Sequence, residues 1–302
     1  MKPIDKIDKA EVFIVQLPLV TPFETSFAVE VHKQALLIKI TSGKRSGWGE
    51  CVASPNPYYS YETHQTALSI IKDFLVPIIK SKKKFLIADV LETFTRIRGH
   101  NMAKATIENA LLDLLSKINN IPLYQLIGGD FKKIKSGISI GIKNNPEELL
   151  ETIQKAIDKK YHRIKVKIKR GWDIEVIQEI RNVFPKIPLM VDANSDYTIQ
   201  DLEIVKELDY YNLMMIEQPF YYDDIYFHSL LQKEIKTPIC LDESIKSLND
   251  VKAAIELGSC RIINIKQGRV GGLLNSKAMS EYCVKNQIKV WSGGMLETGI
   301  GR

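Results

Sequence analysis

The sequence has little that would support a metal-thiolate site, a disulfide framework or a membrane span. Its 302 residues hold only four cysteines, Cys51, Cys240, Cys260 and Cys283, and no two of them form a C-x-x-C pair. That spacing excludes a disulfide scaffold and argues against zinc, and it fits a reducing compartment. The five histidines (His32, His64, His100, His162 and His228) show no ligand spacing. No stretch approaches the roughly 18 apolar residues a spanning helix requires. The N-terminus, Met1-Lys-Pro-Ile-Asp-Lys, carries charge but no apolar core of a secretory signal; a cytoplasmic location and no membrane partner are expected. Charge of one sign is not gathered either. The net +6 comes from 42 basic and 36 acidic residues spread along the chain, apart from runs such as Lys82-Lys83-Lys84. A nucleic-acid surface concentrates its basic residues beside stacking aromatics, so no nucleic-acid partner is expected.

What is present is the composition of a globular protein, 45% hydrophobic and 26% charged. The length is more than one ordinary core accommodates and suggests two domains, or one with a large addition. The spacing predicts strands over 10–20 and 34–42 and helices over 61–80 and 101–118. In the last, Ile107, Leu111, Leu114, Leu115 and Ile118 recur at helical intervals. Pro122 and Gly128-Gly129 punctuate the chain after that helix. Residues 1–130 therefore read as a small α+β domain. Over 131–302 strand-type runs (134–142, 162–168, 187–192, 212–217, 238–242, 260–266 and 288–292) alternate with amphipathic stretches (147–160, 172–184, 198–209, 223–233, 247–257 and 272–286). Such alternation implies parallel strands with right-handed crossovers, and seven units favour a TIM-like β/α barrel over an open sheet.

Charged residues recur at the ends of five consecutive strand candidates. Lys167, Asp192, Glu217, Asp242 and Lys266 follow one another at intervals of 25, 25, 25 and 24 residues, about the length of one β/α unit. They are expected to stand at equivalent depths on the rim where barrel enzymes place their chemistry. Burial of such groups is costly unless they are paired or bound to metal. The alternation within Ile164-Lys165-Val166-Lys167-Ile168 reads as an amphipathic strand with wet lysines if the strand is exposed. In a barrel the outer face is covered by helices and must be apolar, so Lys165 and Lys167 turn inward, as do Asn264 and Lys266 beside Ile263 and Ile265. Lys169 is expected past the rim, in solvent. Three carboxylates supply oxygen alone and so suit a hard cation, Mg²⁺ with Mn²⁺ able to substitute. Lysines beside that ion are expected to have lowered pKa values and to act as acid and base on a small carboxylate substrate.

The motifs Lys165-Val-Lys167, Val191-Asp192-Ala-Asn194-Ser, Ile216-Glu217-Gln218-Pro219, Leu241-Asp242-Glu243-Ser244, Asn264-Ile-Lys266 and Gly293-Gly294-Met295-Leu-Glu297 together resemble those of the enolase superfamily. They are similar in particular to its branch of o-succinylbenzoate synthases and N-succinylamino acid (N-acylamino acid) racemases. Gly47-Trp-Gly-Glu50-Cys and Ile121-Pro-Leu-Tyr-Gln-Leu-Ile-Gly-Gly129 extend the likeness to nearly the whole chain. The resemblance implies an N-terminal capping domain on a (β/α)7β barrel, with Asp192, Glu217 and Asp242 as Mg²⁺ ligands. It makes Lys167 and Lys266 the acid/base pair, with Lys165 beside them. In the synthase reaction Lys167 would serve as base and then acid on one face, forming o-succinylbenzoate for menaquinone synthesis, while Lys266 lends electrostatic support. In the racemase reaction the two lysines would serve opposite faces. The cap loop with Phe23, Phe27 and Ser54 would shape the pocket. Ser139, Asn194, Arg269, Gly293, Gly294 and Met295 would complete substrate binding, and a homo-oligomer is expected.

Two departures stand out. Gln267 replaces the usual proline of the Lys266-Gln267-Gly268-Arg269 segment, while Arg269 resembles the racemase-capable members. The chain also stops at Arg302, where relatives continue through another helix and strand, so a barrel truncated after its seventh strand is expected, with an open edge. Competing readings are a binding protein with a vestigial site and a nucleic-acid binder. The intact acids and lysines argue against the first, and the dispersed charge against the second.

Overall fold

The computed structural model describes residues 2–130 and 132–302; Met1 and residue 131, where the two predicted domains would begin, lie outside the described residues. The N-terminal part contains β1 (Ile4–Lys6), β2 (Lys9–Glu24), β3 (Val29–Ser42) and β4 (Arg45–Cys51), then α1 (His64–Ile70), α2 (Val76–Ser81), β5 (Lys83–Phe85), α3 (Ile87–Phe94), α4 (Asn101–Asn119) and α5 (Leu123–Leu126). Strands β2, β3 and β4 form an antiparallel meander, and β1 pairs with β5. Leu36, Ile38 and Ile40 of β3 pack on Ile107, Leu111 and Leu114 of α4 in one apolar core. Strand β4 lies directly against that helix. A Cβ on Gly47 would come 2.1 Å from the Ala110 carbonyl oxygen, and one on Gly49 2.1 Å from that of Thr106. Glycine at both positions is what lets strand and helix touch.

The C-terminal part alternates β6 (Ile138–Ile140), α6 (Pro146–Asp158), β7 (Ile164–Lys167), α7 (Ile174–Val183), β8 (Leu189–Asp192), α8 (Leu202–Glu207), β9 (Ile216–Glu217), α9 (Tyr226–Glu234), β10 (Ile239–Leu241), α10 (Leu248–Leu257), β11 (Ile262–Ile265), α11 (Leu273–Lys285) and β12 (Lys289–Ser292). The seven strands form one parallel sheet in chain order, with β6 and β12 at its edges. It is the expected β/α barrel architecture, a curled sheet wrapped by helices. Local chemistry sets the helix limits. Asn145 caps α6 by accepting from Glu148 N at 2.8 Å, with Pro146 in the first turn, and Gly258 ends α10 at φ +68°. Ile164, Val166 and Ile168 face the helical shell, as do Ile263 and Ile265. At the barrel floor Met190, Met215 and Cys240 pack together, and the Arg163 guanidinium lies 3.8 Å from the centre of the Trp291 ring.

Several expected limits differ. The strand predicted over 134–142 is only three residues long, because residues 132–136 are exposed at a sheet edge with a partner on one side. The helix expected over 61–80 starts at His64, after the Thr63 cap, and passes through a π turn at Ile71–Leu75. The helix expected over 198–209 keeps a six-residue α-helical centre between two 3-10 turns. Strand β4 and helix α3 are additions to the expected elements; β4 carries Gly47 and Gly49, residues of low strand propensity, in its interior.

Candidate active site

Lys167, Asp192 and Glu217 close β7, β8 and β9, and Asp242 and Lys266 each stand one residue beyond β10 and β11. Strand register places Lys167 beside Asp192 and Asp192 beside Glu217. All five are under 10% exposed, and every charge has a partner. Lys165 Nζ donates to Asp192 Oδ2 at 2.7 Å and to Glu217 Oε1 at 2.8 Å; Lys167 Nζ donates to Asp192 Oδ2 at 2.7 Å. On the far side Lys266 Nζ lies 2.7 Å from Asp242 Oδ2, and the Arg269 guanidinium bonds to Asp242 Oδ1.

The acids are held in different states. Burial opposes ionisation of Asp192, but Lys165 and Lys167 outweigh it and hold the carboxyl well below the usual range. Asp242 is likewise lowered, burial being overcome by Arg269 and Lys266. Glu217 is pushed up to about 7 by burial and the charge of Asp192. The lowered lysine pKa values expected from sequence are not found at Lys165 and Lys266. Burial alone would favour the neutral amine, but Asp192 and Glu217 hold the Lys165 proton, and Asp242 holds that of Lys266. Both amines sit above the ordinary lysine range because carboxylates, not cations, are their nearest neighbours.

The rest of the site is a supporting frame that spacing alone did not reveal. The Gln218 side chain ties neighbouring strands together. Its Oε1 accepts from Asp242 N at 2.8 Å and Ser244 N at 3.3 Å, and its Nε2 donates to Ser244 Oγ at 2.5 Å. Asn264 Nδ2 donates to Glu217 Oε1 at 2.9 Å. Tyr59, from the cap, accepts from Lys266 Nζ at 3.3 Å and Arg269 Nη1 at 3.0 Å; burial and the charge of Asp242 push its phenol up to about 12. Glu243 is buried, is raised to about 8 by burial and Asp242, and accepts from Asn194 Nδ2 at 2.9 Å. Gln218 and Glu243 adjoin the spaced acids and could have been found that way; Tyr59 lies in a loop with no periodic signal.

The residues expected to bind substrate are placed unevenly. The tip of the β2–β3 hairpin reaches the barrel mouth: Ser26 Oγ donates to the Asn194 carbonyl at 3.3 Å, and Glu24 pairs with Lys169 at 3.1 Å. Lys169 is therefore part of a cap-to-barrel contact and not simply solvated. Phe23 lies beside Gly141, and the Phe27 ring is 6.3 Å from Tyr59. Ser54 bridges to Thr63 within the cap. Ser139 sits on edge strand β6 opposite Lys165 in register, with an exposed side chain. The Asn194 amide is occupied inside the protein by Lys167 and Glu243. The Arg269 guanidinium is buried and occupied as well, donating also to the Ile245 carbonyl at 2.9 Å and the Asn264 carbonyl at 2.8 Å. Gly293 abuts the Asn264 side chain, and with Gly294 lines a cleft of about 770 Å³ shared with Trp48, Asn109 and Gln267. Met295 packs on the cap core.

Among the described residues, no three acid, imidazole or thiol side chains stand as a ready coordination group; an ammonium sits between the acids instead. The donor chemistry still suits a hard cation, being carboxylate oxygen from three consecutive strands. Glu243 Oε2 and Asn264 Oδ1 are buried without a hydrogen bond, whereas Asp242 Oδ2 has the Lys266 ammonium against it.

A parallel β/α barrel with acids and lysines at its mouth, covered by an antiparallel cap, defines a class of barrel enzyme whose site lies at the carboxyl ends of the strands. The chain belongs to the mandelate racemase/muconate lactonizing enzyme family of the enolase superfamily. Residues 9–128 match that family's N-terminal domain, and residues 148–302 match the enolase C-terminal domain-like model. An o-succinylbenzoate synthase of Geobacillus kaustophilus is 48% identical over 289 residues, covering 95% of this chain and 77% of the relative. An N-succinylamino acid racemase of an Amycolatopsis species is 38% identical, covering 98% of this chain and 81% of the relative. A crystal structure of an enolase-superfamily member from Listeria innocua superposes with a TM-score of 0.93 at 42% identity, covering 98% of this chain and 80% of that one. Among the described residues no helix is long and apolar enough to cross a membrane.

Proposed function

We propose that this chain is a cytoplasmic, Mg²⁺-dependent o-succinylbenzoate synthase acting in menaquinone biosynthesis. In this reading residues 1–130 form the cap and 131–302 the barrel. The observation that carries it is the row of Asp192, Glu217 and Asp242 on consecutive strands, flanked by Lys167 on one side and Lys266 on the other. The buried cluster holds four acids (with Glu243) and four bases (with Lys165 and Arg269). It is near neutral when all are ionised, so a dication bound there leaves positive charge for a carboxylate substrate to meet. Asp192, Glu217 and Asp242 would hold Mg²⁺, with Mn²⁺ able to replace it. That ion would supply positive charge to the substrate carboxylate as negative charge develops on its oxygens. Sharing the acids with a dication also weakens their hold on the Lys165 and Lys266 protons.

In the synthase reaction Lys167 takes the proton α to the carboxylate of a cyclohexadiene. It then returns a proton to the hydroxyl on the neighbouring carbon, which departs as water as the ring becomes aromatic. Lys266 stays an ammonium and stabilises the negative charge between these steps. A second reading, N-succinylamino acid racemase, is favoured by the same two amines. Strands β8, β9 and β10 separate Lys167 from Lys266, so a proton removed on one face can be replaced on the other. Each substrate is offered to the purified enzyme at millimolar Mg²⁺. Loss of diene absorbance is expected. Racemisation of N-succinylphenylalanine in D₂O without diene consumption would reverse the ranking.

A further inference from the structure

The side chain of Asn194 joins two groups at the site. Its Oδ1 accepts from Lys167 Nζ at 2.5 Å, and its Nδ2 donates to Glu243 Oε1 at 2.9 Å. Its backbone is held from both sides. The amide N–H donates to Asp192 Oδ1 at 3.1 Å, the carbonyl accepts from Ser26 of the cap, and φ is +44°, a conformation asparagine tolerates better than most residues. The freedom left to the residue is rotation of its own carboxamide. An ammonium carries three donors and no acceptor, so it needs the amide oxygen. A flipped amide would turn its N–H groups toward Lys167 and its oxygen toward the carboxyl group of Glu243. All three residues are under 10% exposed, so water cannot cheaply substitute for a lost bond. The other oxygen of Glu243 is buried without a hydrogen bond, so among the described residues that side chain makes a single hydrogen bond, the one to Asn194.

We propose that Glu243 is a positioning residue: by accepting from Asn194 Nδ2 it fixes that amide with its oxygen toward Lys167 and so aims the amine. The kinetic part of the claim rests on the reading of Lys167 as the base. Asn194, named from the resemblance as a substrate contact, becomes a bracket that carries the orientation from β10 to β7.

The test combines Glu243→Leu, Glu243→Gln, Asn194→Leu and the Asn194→Leu/Glu243→Leu double variant, with Glu243→Ala replacing the leucine if it does not fold. Displacement of a reacting group by about 1 Å can cost on the order of 10²-fold, and Glu243→Leu is expected to lower kcat by about that much with little change in KM or in the Mg²⁺ requirement. Glu243→Gln, which keeps an acceptor, should recover to within about tenfold of wild type. The double variant should lose no more than the worse single one, since both cut the same path. Crystal structures of Glu243→Leu and Glu243→Gln supply a readout independent of turnover. Lys167 Nζ should leave Asn194 Oδ1 in the first and stay on it in the second. An unmoved Lys167 in Glu243→Leu overturns the proposal even if wild type consumes neither substrate, a result that would sink only the assigned reaction. Additive losses, equal losses in the glutamine and leucine variants, or a loss confined to Mg²⁺ affinity would overturn it too.

Discussion

At the scale of single residues, the burial of Asp192, Glu217, Asp242, Lys165, Lys167, Lys266 and Arg269 is tolerable only because each of them faces an opposite charge. Lys167→Ala should lower both synthase and racemase turnover by about 10²–10⁴-fold, the usual contribution of a general base, measured as kcat in either assay. Lys266→Arg keeps the charge but removes a base that can act near neutral pH. It should therefore hurt racemisation more than dehydration; equal losses would argue against one-sided proton transfer in the synthase reaction. Asp242→Asn weakens the acid that Lys266 and Arg269 both hold, and should first raise the Mg²⁺ concentration needed for half-maximal rate. Strand alternation and interval made the acids and lysines legible in the sequence. Tyr59 and the doubly bonded amide of Asn194 were not, since Tyr59 lies in a cap loop and the amide joins the end of β7 to the loop after β10, approaches that only folding determines.

At the scale of elements, the contact between the cap and the barrel carries an ionisable group of its own. Glu108 of α4 is 1% exposed and accepts from Leu274 N, in the first turn of α11, at 2.9 Å. Burial pushes its carboxyl up to about 7 despite that bond. The folded protein therefore holds this proton more tightly than the unfolded chain does. The corresponding stability is full below about pH 4.5 and is lost as pH rises toward 7. A shift from the ordinary 4.5 to about 7 corresponds to about 3 kcal/mol. Glu108→Gln should flatten the pH dependence of denaturant midpoints in that window relative to wild type; parallel profiles would show that Glu108 is not the titrating group. A methyl group on Gly49 meets the α4 backbone, and Gly49→Ala should destabilise by about 1–3 kcal/mol or more, as overpacking does, read as a lower urea midpoint. The alternation of β and α elements was legible because buried parallel strands and amphipathic helices have different periods. Strand β4 was not, because the glycines that let it touch α4 are also turn formers.

At the scale of the whole molecule, two parts of the chain far apart in sequence meet at one mouth, where Ser26 and Tyr59 of the cap bond to residues of the barrel. A ligand that binds only the folded site stabilises it by mass action. Millimolar Mg²⁺ should therefore raise the melting temperature of wild type but not of a variant lacking Asp192, Glu217 and Asp242, and chelation should remove the gain. An equal rise in both would place the ion elsewhere. The sequence by itself determined the β/α repeat, because each unit must bury an apolar strand beneath an amphipathic helix. It also determined the 25-residue recurrence of charge at the rim, because that interval is the length of one such unit. Only the tertiary structure decided which charges share partners. Lys165 lies between Asp192 and Glu217, Arg269 is buried against Asp242, and Asn194 is clamped between Lys167 and Glu243. Those pairings depend on side chains from different strands and loops converging to within hydrogen-bonding distance, a geometry that no interval along a single chain encodes.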